Sequence, residues 1–240
     1  MEVRVAERGS RRDLGDRSRG QPDLTRRVRS YGAVAWCYDE VAALYSFGRI
    51  DLAKACQVPL LQPGERVLYP GAGRGSEAVL AARRGARVTA LDASPAMLSR
   101  LQRRLDAADS HAELLCGDFF DHQPRERYDV VAANFFLNLF SRGDMRRALT
   151  LLASWVRPGG RVMIADFAPP RGGWATRLAC RAYYRPVSLA AAAVRLAALH
   201  PIYDYQVEFD ALGLSLVRRD EFRLASWTPV FYESLVARKR

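Results

Sequence analysis

Short apolar runs alternate with helical repeats through the middle of the chain. The apolar runs predict strands at residues 66–70, 87–92, 112–116, 128–135 and 161–167. Between them, apolar side chains spaced by three or four residues predict helices at 76–84, 94–109 and 144–156. Ser94 followed by Pro95 is typical of a helix start, because serine caps free N–H groups and proline has none to lose. Alternation of this kind predicts an α/β fold, with a parallel sheet covered by helices on both faces.

The regions on either side of this core add further elements. Helical spacing over residues 28–58 predicts a helical N-terminal extension, and residues 215–222 and 230–238 predict two closing strands. We therefore expect a doubly wound, seven-stranded, mostly parallel sheet with a helical insert after strand five. The insert, residues 168–214, is predicted to hold two helical pieces separated by the segment YYRP at 183–186. We expect this insert to cover the substrate.

The first 27 residues differ in composition from the rest. They are rich in Arg, Asp, Gly and Ser and poor in large apolar side chains, which predicts a flexible, arginine-rich tail before one domain at 28–240. The formal net charge is +11, from 37 basic and 26 acidic residues. This charge fits either an arginine-rich overall composition or attraction to an anionic membrane surface. Because the arginines are dispersed, we expect no nucleic-acid partner.

Cysteine spacing and hydropathy indicate the cellular compartment. The four cysteines stand far apart without a C-x-x-C pair, which is typical of reduced thiols in a cytoplasm. The most apolar stretch, residues 187–199, is interrupted by an arginine and is shorter than the ~20 apolar residues of a membrane span. We expect a cytoplasmic protein, with peripheral contact to an anionic membrane as an alternative.

The segment VLYPGAGRG, at residues 67–75, places three glycines at alternate positions after the first strand. Glycine lets the backbone turn sharply and lets a ligand lie against it, and the next helix offers free N–H groups. An adenosyl cofactor without a pyrophosphate fits this spacing better than a dinucleotide does. Asp92 ends the second strand roughly 20 positions later, where an acid can bind ribose hydroxyls. Helix capping is the alternative role for Asp92.

Further polar and aromatic residues lie at or near strand ends on the same predicted edge. Asp118 and Phe119, in the segment CGDFF, suit the amino group and the ring face of adenine, with a plain turn as the alternative. Asn134, at the end of the fourth strand, is expected to contact the amino-acid portion of the cofactor. We expect Phe135 and Phe136 either to line a cavity or to belong to the apolar core.

Four segments keep their order along the chain: VLYPGAGRG, ALDASPAML, CGDFF and WVRPGGRVMIADF. Together they resemble the class I methyltransferases that use S-adenosylmethionine (SAM). YDEVAALYSFG, NFFLNLF and IYDYQVEF extend the resemblance to the ubiquinone and menaquinone C-methyltransferase group, over about residues 30–239. The resemblance implies a Rossmann-like fold and SAM as the cofactor. The expected cofactor-binding residues are Tyr69, Gly71, Ala72, Gly73, Gly75, Asp92, Ala93, Met97, Asp118, Phe119 and Asn134.

Two segments depart from the pattern of that group. Tyr69 and Pro70 stand where the family usually has an acid before the first glycine, and FLNL at 136–139 stands where the group has GLRN. We expect Tyr69 to offer its phenolic oxygen or its ring face to the ammonium group of SAM. Alternatively, Tyr69 points into the core and backbone carbonyls hold the ammonium group.

The chemistry of methyl transfer limits the catalytic machinery that is needed. Displacement at a sulfonium methyl is in line, so positioning can supply much of the acceleration. A base would assist a phenol or an activated aromatic carbon, and the candidates are His200, Tyr203 and Tyr205, with structural roles as alternatives. The sequence has neither metal-ligand spacing nor a G-x-S-x-G elbow, which argues against a metal or hydrolytic mechanism.

The combined features predict a SAM-dependent methyltransferase acting on a small, lipophilic acceptor that is aromatic or quinone-like. One alternative is a phospholipid amine N-methyltransferase. A second is a SAM-binding protein of the same fold without catalysis, which the altered glycine loop suggests. A nicotinamide-dependent oxidoreductase is a more remote alternative.

Overall fold

The computed structural model describes residues 4–5, 45–193 and 202–240, and these residues are built around one twisted sheet. Its strands are β1 (Arg4–Val5), β2 (Arg66–Pro70), β3 (Arg87–Asp92), β4 (Ala112–Cys116), β5 (Tyr128–Asn134), β6 (Val156–Phe167), β7 (Leu214–Arg223) and β8 (Val230–Lys239). The spatial order is β1-β4-β3-β2-β5-β6-β8-β7. Only the pairings of β8 with β6 and with β7 are antiparallel among the described strands. The predicted seven-stranded, mostly parallel sheet is confirmed, and β1 adds a two-residue pairing beside β4.

Helices cover both faces of the sheet. They are α1 (Arg49–Ala55), α2 (Ser76–Arg83), α3 (Pro95–Ala107), α4 (Arg142–Trp155), α5 (Trp174–Ala193) and α6 (Gln206–Phe209). Short 3-10 turns lie at Val58–Leu60, Phe119–Asp121, Leu137–Leu139 and Asp210–Leu212. As predicted, Ser94 caps α3, its side chain accepting from the Met97 N–H at 3.4 Å.

Alternation along each strand divides the interior into two layers. Val67 and Tyr69 of β2 pack on the side of α2 and α3, whereas Leu68 packs on the side of α4. Successive side chains of a strand point to opposite faces, and both faces here are covered by helices. This explains why the predicted strands are nearly continuous apolar runs rather than alternating ones.

Two boundaries differ from the sequence prediction. Strand β6 begins at Val156, five residues earlier than predicted, because the segment RPGG turns through Gly159 (φ 75°) without leaving the sheet. In the described part of the insert, one helix, α5, continues through the YYRP segment that was predicted to separate two pieces. The Tyr184 hydroxyl lies 3.1 Å from the Ala168 carbonyl oxygen and 2.7 Å from that of Phe231. These contacts hold α5 against the start of the insert and against β8 at the YYRP segment.

Two further features of the described part of the chain bear on function. No helix within residues 45–193 or 202–240 is both long and apolar enough to cross a bilayer. The same residues contain no cluster of three or more His, Cys, Asp or Glu side chains suited to hold a metal ion.

Candidate functional site

The glycine loop lies at the carboxyl end of β2, beside the ends of β3 and β5. Gly71, Gly73 and Gly75 all have left-handed backbones, with φ of 61°, 54° and 60°. A Cβ at Gly71 would overlap the ring of Phe136, so glycine is required there by space as well as by conformation. A Cβ at Gly73 would meet only the Gly71 carbonyl oxygen, 4.0 Å away. The middle of the loop is therefore open to a ligand.

Asp92 ties this loop to the end of β3. One carboxylate oxygen accepts from the Gly73 N–H at 2.7 Å, and the other accepts from the Ser94 N–H at 2.8 Å. Burial raises the pKa of Asp92, and the two backbone hydrogen bonds oppose that shift. Asp92 thus has a structural role, because it shapes the loop and binds the N–H at the start of α3. It also keeps lone pairs that can accept hydrogen bonds from a ligand.

The other predicted adenine contacts are divided between the rim of the site and the core. Asp118 is partly exposed, and its carboxylate accepts from the Phe120 N–H at 2.8 Å, so it caps a 3-10 turn. Phe119 is 6% exposed, and its ring packs edge-on against Phe136 and Trp155. This placement departs from the expectation of a ring face open to adenine. Ala72 and Met97 are buried beside the loop, and Ala93 is partly exposed between Asp92 and Ser94.

Tyr69 lies in the interior, which agrees with the second of the two expectations for it. It is 3% exposed and packs with the apolar layer under α2 and α3. Burial raises the pKa of its hydroxyl well above the usual range, and the nearby Glu77 carboxylate adds to the shift. The ring therefore contributes to the core, and its hydroxyl points toward a charge that the sequence analysis did not identify.

That charge belongs to a buried polar group at the ends of β2 and β5. Glu77, in the first turn of α2, is 6% exposed, and its Oε1 lies 3.8 Å from the Lys54 Nζ. The Asn134 side-chain Nδ2 lies 3.5 Å from the same oxygen, and the Asn134 side-chain Oδ1 accepts from the Ala165 N–H at 3.2 Å. Sequence reasoning missed Glu77, although its position two residues after Gly75 was a usable signal.

A second buried acidic group lies at the other half of the same edge. Asp166 and Glu233 are paired across β6 and β8, and each is 1% exposed. The Tyr205 hydroxyl donates to Asp166 at 2.6 Å, and the Phe167 N–H donates to its other oxygen at 2.8 Å. Burial, with a contribution from the Glu233 charge, raises the pKa of Asp166 to about 7. Asp166 was missed because one carboxylate in an apolar strand carries no signal without its partners.

Arginines balance the charge of Glu233. The Arg171 guanidinium donates to its carboxylate at 2.7 Å, and Arg219 lies 3.5 Å from the same oxygen. Asp166 has no such cation in these contacts. Of the two carboxylates, Asp166 is therefore the one suited to exchange a proton near neutral pH.

The predicted catalytic tyrosines are both buried hydrogen-bond donors. Tyr205 is 1% exposed, and burial raises its pKa well above the usual value, so the proton stays on its oxygen beside Asp166. Tyr203 is 2% exposed and donates to the Phe140 carbonyl oxygen at 3.0 Å. Both hydroxyls are engaged as hydrogen-bond donors, and a catalytic role for either tyrosine stays a prediction. His200 lies outside the described residues.

Aromatic side chains fill the space between these two polar groups. Phe135 follows β5 in a left-handed conformation (φ 50°), and its ring packs edge-on against Phe167 at 5.5 Å. Tyr183 and Tyr184 of α5 contact the same cluster through Tyr232 and Phe167. A cavity of about 370 Å³ opens farther along this edge, where the insert meets β7 and β8. It is lined by Pro169, Arg171, Thr176, Glu221, Arg223, Trp227, Thr228, Pro229 and Val230.

Comparison with known proteins agrees with this geometry. The family described as a methyltransferase domain matches residues 67–160, which hold the glycine loop, Asp92 and Asn134. Over 163 residues the chain is 31% identical to the demethylmenaquinone methyltransferase of Thermus thermophilus, covering 65% of this chain and 72% of that protein. The chain therefore belongs to the class I SAM-dependent methyltransferases.

Within that family, the matched relatives differ in name and include demethylmenaquinone methyltransferases and a malonyl-[acyl-carrier protein] O-methyltransferase of Halorhodospira halophila. The chain is 32% identical over 143 residues to the demethylmenaquinone methyltransferase of Clavibacter sepedonicus, covering 58% of this chain and 57% of that protein. It spans 51% to 59% of the length of three of the curated relatives that it matches. It thus resembles the ubiquinone and menaquinone C-methyltransferase group, as the motifs predicted.

A solved structure supports the fold. The 1,6-didemethyltoxoflavin-N1-methyltransferase of Burkholderia thailandensis, with bound 1,6-didemethyltoxoflavin and S-adenosylhomocysteine, superposes with a TM-score of 0.65 at 18% identity. The match covers 94% of this chain and 93% of that one. At this level of identity the likeness concerns the architecture of the sheet and its helices.

Proposed function

We propose that this protein is a SAM-dependent methyltransferase whose acceptor is a small, lipophilic molecule with an aromatic or quinone-like ring. The observation that carries the proposal is the open glycine loop held by Asp92 at the carboxyl edge of a parallel sheet. This is the edge at which such sheets bind their ligands. Family membership adds the chemical class of the cofactor.

The residues present fit an adenosyl cofactor. Gly73 leaves open space above the loop, and Asp92 has acceptor capacity beyond its two backbone hydrogen bonds, as ribose hydroxyls require. Asp118 stands partly exposed at the next strand end, where it can accept from an adenine amino group. When bound, SAM supplies an electrophilic methyl group on a sulfonium. The protein has to hold the acceptor in line with that group and exclude water.

The aromatic cluster at the ends of β5, β6 and β8 supports an aromatic acceptor. Phe135 and Phe167 are only partly buried, and they belong to the same cluster as the partly buried Tyr183 of helix α5. Partly exposed rings provide apolar area and edge-to-face contacts for a flat, lipophilic molecule. The side-chain oxygen of Asn138 is buried without a hydrogen-bond partner in the described part of the chain. An acceptor hydroxyl would satisfy it.

Asp166 supplies the acceptor for a proton in this proposal. A phenol, or an aromatic carbon after methylation, must lose a proton, and a group with a pKa near the working pH removes it best. In this proposal Tyr205, whose hydroxyl donates to Asp166, lies between Asp166 and the acceptor. As Tyr205 takes the proton of the acceptor, it passes its own proton to Asp166 along the 2.6 Å hydrogen bond. Asp166 is then a positioning and proton-accepting residue behind Tyr205.

The proposal is tested by methyl transfer from labelled SAM. Purified protein is incubated with a demethylated naphthoquinol, with phosphatidylethanolamine vesicles, or with a lipid extract, and labelled products are separated. We expect label in the quinol or in an aromatic lipid of the extract. Label in phosphatidylethanolamine would favour the phospholipid N-methyltransferase instead. Tight SAM binding without transfer to any component would support a non-catalytic SAM-binding protein.

A further inference from the structure

The glycine loop lacks the acid that usually precedes it in this family, and Tyr69 does not replace that acid. Tyr69 is 3% exposed and belongs to the apolar layer beneath α2. A protonated phenol in that layer offers no negative charge to an ammonium group. A negative charge for an ammonium group at this loop would therefore have to come from elsewhere, and the described residues around the loop include one buried carboxylate.

Glu77 is that carboxylate. It follows the loop directly, its residue is 6% exposed, and its charge is close enough to Tyr69 to raise the pKa of the phenol. Its contacts with Lys54 at 3.8 Å and Asn134 at 3.5 Å both involve Oε1, and neither engages Oε2. A carboxylate can accept about four hydrogen bonds, so Glu77 has capacity for another donor.

The pairing with Lys54 is loose for a buried acid. A direct N–H···O hydrogen bond spans roughly 2.7–3.2 Å, which is shorter than the 3.8 Å between Nζ and Oε1. The Lys54 Nζ also lies 5.8 Å from the centre of the Phe135 ring, which the left-handed backbone of Phe135 brings beneath it. Lys54 is on α1, and its side chain is 24% exposed, so it can move while Glu77 stays fixed.

We propose that the Lys54–Glu77 pair receives the charged amino-acid end of the cofactor. Glu77 accepts hydrogen bonds from the cofactor ammonium group, and Lys54 donates to the cofactor carboxylate. Asn134, between the two at the end of β5, orients the Glu77 carboxylate. This assignment rests on the proposed function. The acid that binds the ammonium group is then in the first turn of α2, rather than at the end of β2 where the family usually has it.

Charge balance favours a zwitterionic ligand at the Lys54–Glu77 pair. A buried charge that loses its partner is strongly destabilising, so a single positive or negative ligand would leave Glu77 or Lys54 uncompensated. A zwitterion supplies one charge of each sign, and both protein charges remain paired after it binds. The pair therefore selects ligands that carry both an ammonium group and a carboxylate.

The test compares two ligands by calorimetry in the full chain. S-adenosylhomocysteine carries the amino-acid end, whereas 5′-methylthioadenosine lacks it and keeps the adenosine. We expect Glu77→Gln to weaken S-adenosylhomocysteine binding roughly tenfold or more, since hydrogen bonds to charged groups are lost. Binding of 5′-methylthioadenosine should change less than about twofold. Lys54→Met should give the same pattern, and Glu126→Gln, on an exposed side chain, should change neither ligand.

The outcomes separate this inference from the proposed function. Unchanged S-adenosylhomocysteine affinity in folded Glu77→Gln, or equal losses for both ligands, would overturn the assignment. If Glu77→Gln does not fold, Lys54→Met decides by the same two criteria. If the unmutated protein binds S-adenosylhomocysteine but no variant discriminates between the ligands, only the assignment fails. If it binds neither ligand, the proposed function fails as well.

Discussion

The half-buried Asp92 and the buried Asp166 are carboxylates at opposite halves of one sheet edge, and the protein holds them in different ways. Asp92 accepts from the backbone N–H groups of Gly73 and Ser94, which follow the ends of β2 and β3. Asp166 accepts from the Tyr205 hydroxyl and faces a second carboxylate, Glu233. Burial raises the pKa of both carboxylates. Two backbone donors oppose that shift at Asp92, whereas the neighbouring Glu233 charge adds to it at Asp166. The first arrangement suits binding, and the second suits proton exchange.

The largest expected effect concerns Asp166. Asp166→Asn should lower kcat for methyl transfer by about 10²-fold or more, because a positioned base contributes of that order. Its affinity for SAM should stay unchanged. In the unmutated protein kcat should rise with pH through about 7 as Asp166 loses its proton. Asp210→Asn, on an exposed side chain, is the control. A flat pH profile with full activity in Asp166→Asn would remove Asp166 from the reaction.

The pH dependence of stability provides a second test of Asp166. The folded pKa of Asp166 lies above its ordinary 3.8, at about 7, so the folded state binds a proton more tightly than the unfolded chain. The contribution of Asp166 to stability should therefore be present at low pH and be lost as pH rises through that window. Denaturant unfolding of the unmutated protein and Asp166→Asn from pH 4.5 to 8 checks this. A difference between the two proteins that grows with pH in favour of the unmutated one would contradict the account.

Substitutions of Tyr69 test whether the half of the sheet that carries the glycine loop depends on core packing. Tyr69→Ala should reduce the free energy of unfolding by ~3–5 kcal/mol, because it removes a buried aromatic ring. Tyr69→Phe keeps the ring and should lose far less. Thermal melting and SAM titration on the same proteins separate packing from binding. A normal melting temperature together with a large loss of SAM affinity in Tyr69→Ala would place the tyrosine at the ligand.

Asp92 gives the smallest of these effects, and it should appear in binding. Asp92→Asn should weaken SAM binding roughly tenfold or more, because hydrogen bonds to a charged acceptor are worth ~1.5–3 kcal/mol each. Asparagine keeps one acceptor oxygen for the loop, so the fold should persist. Asp106→Asn, exposed on α3, controls for the change in net charge. Equal affinities in calorimetry would restrict Asp92 to shaping the loop.

The same contrast explains what could be predicted from the sequence. The glycine loop, Asp92 and the Ser94 cap are close to one another along the chain or have characteristic spacing, and their elements were predicted to within a few residues. Asp166 depends on Tyr205 and Glu233, which reach it only through the insert and the antiparallel strand β8. Glu77 depends on Lys54 from α1. Such contacts have no local pattern, so the structure was needed to find them.

We expect the glycine loop and Asp92 to bind SAM, and direct titration of the unmutated protein tests this binding. Calorimetry with SAM should give saturable binding at one site per chain, and NADH at the same concentrations should give none. Binding of NADH without binding of SAM would contradict the account. The loop would then bind a dinucleotide, although Ser76 occupies the third glycine position of the G-x-G-x-x-G motif.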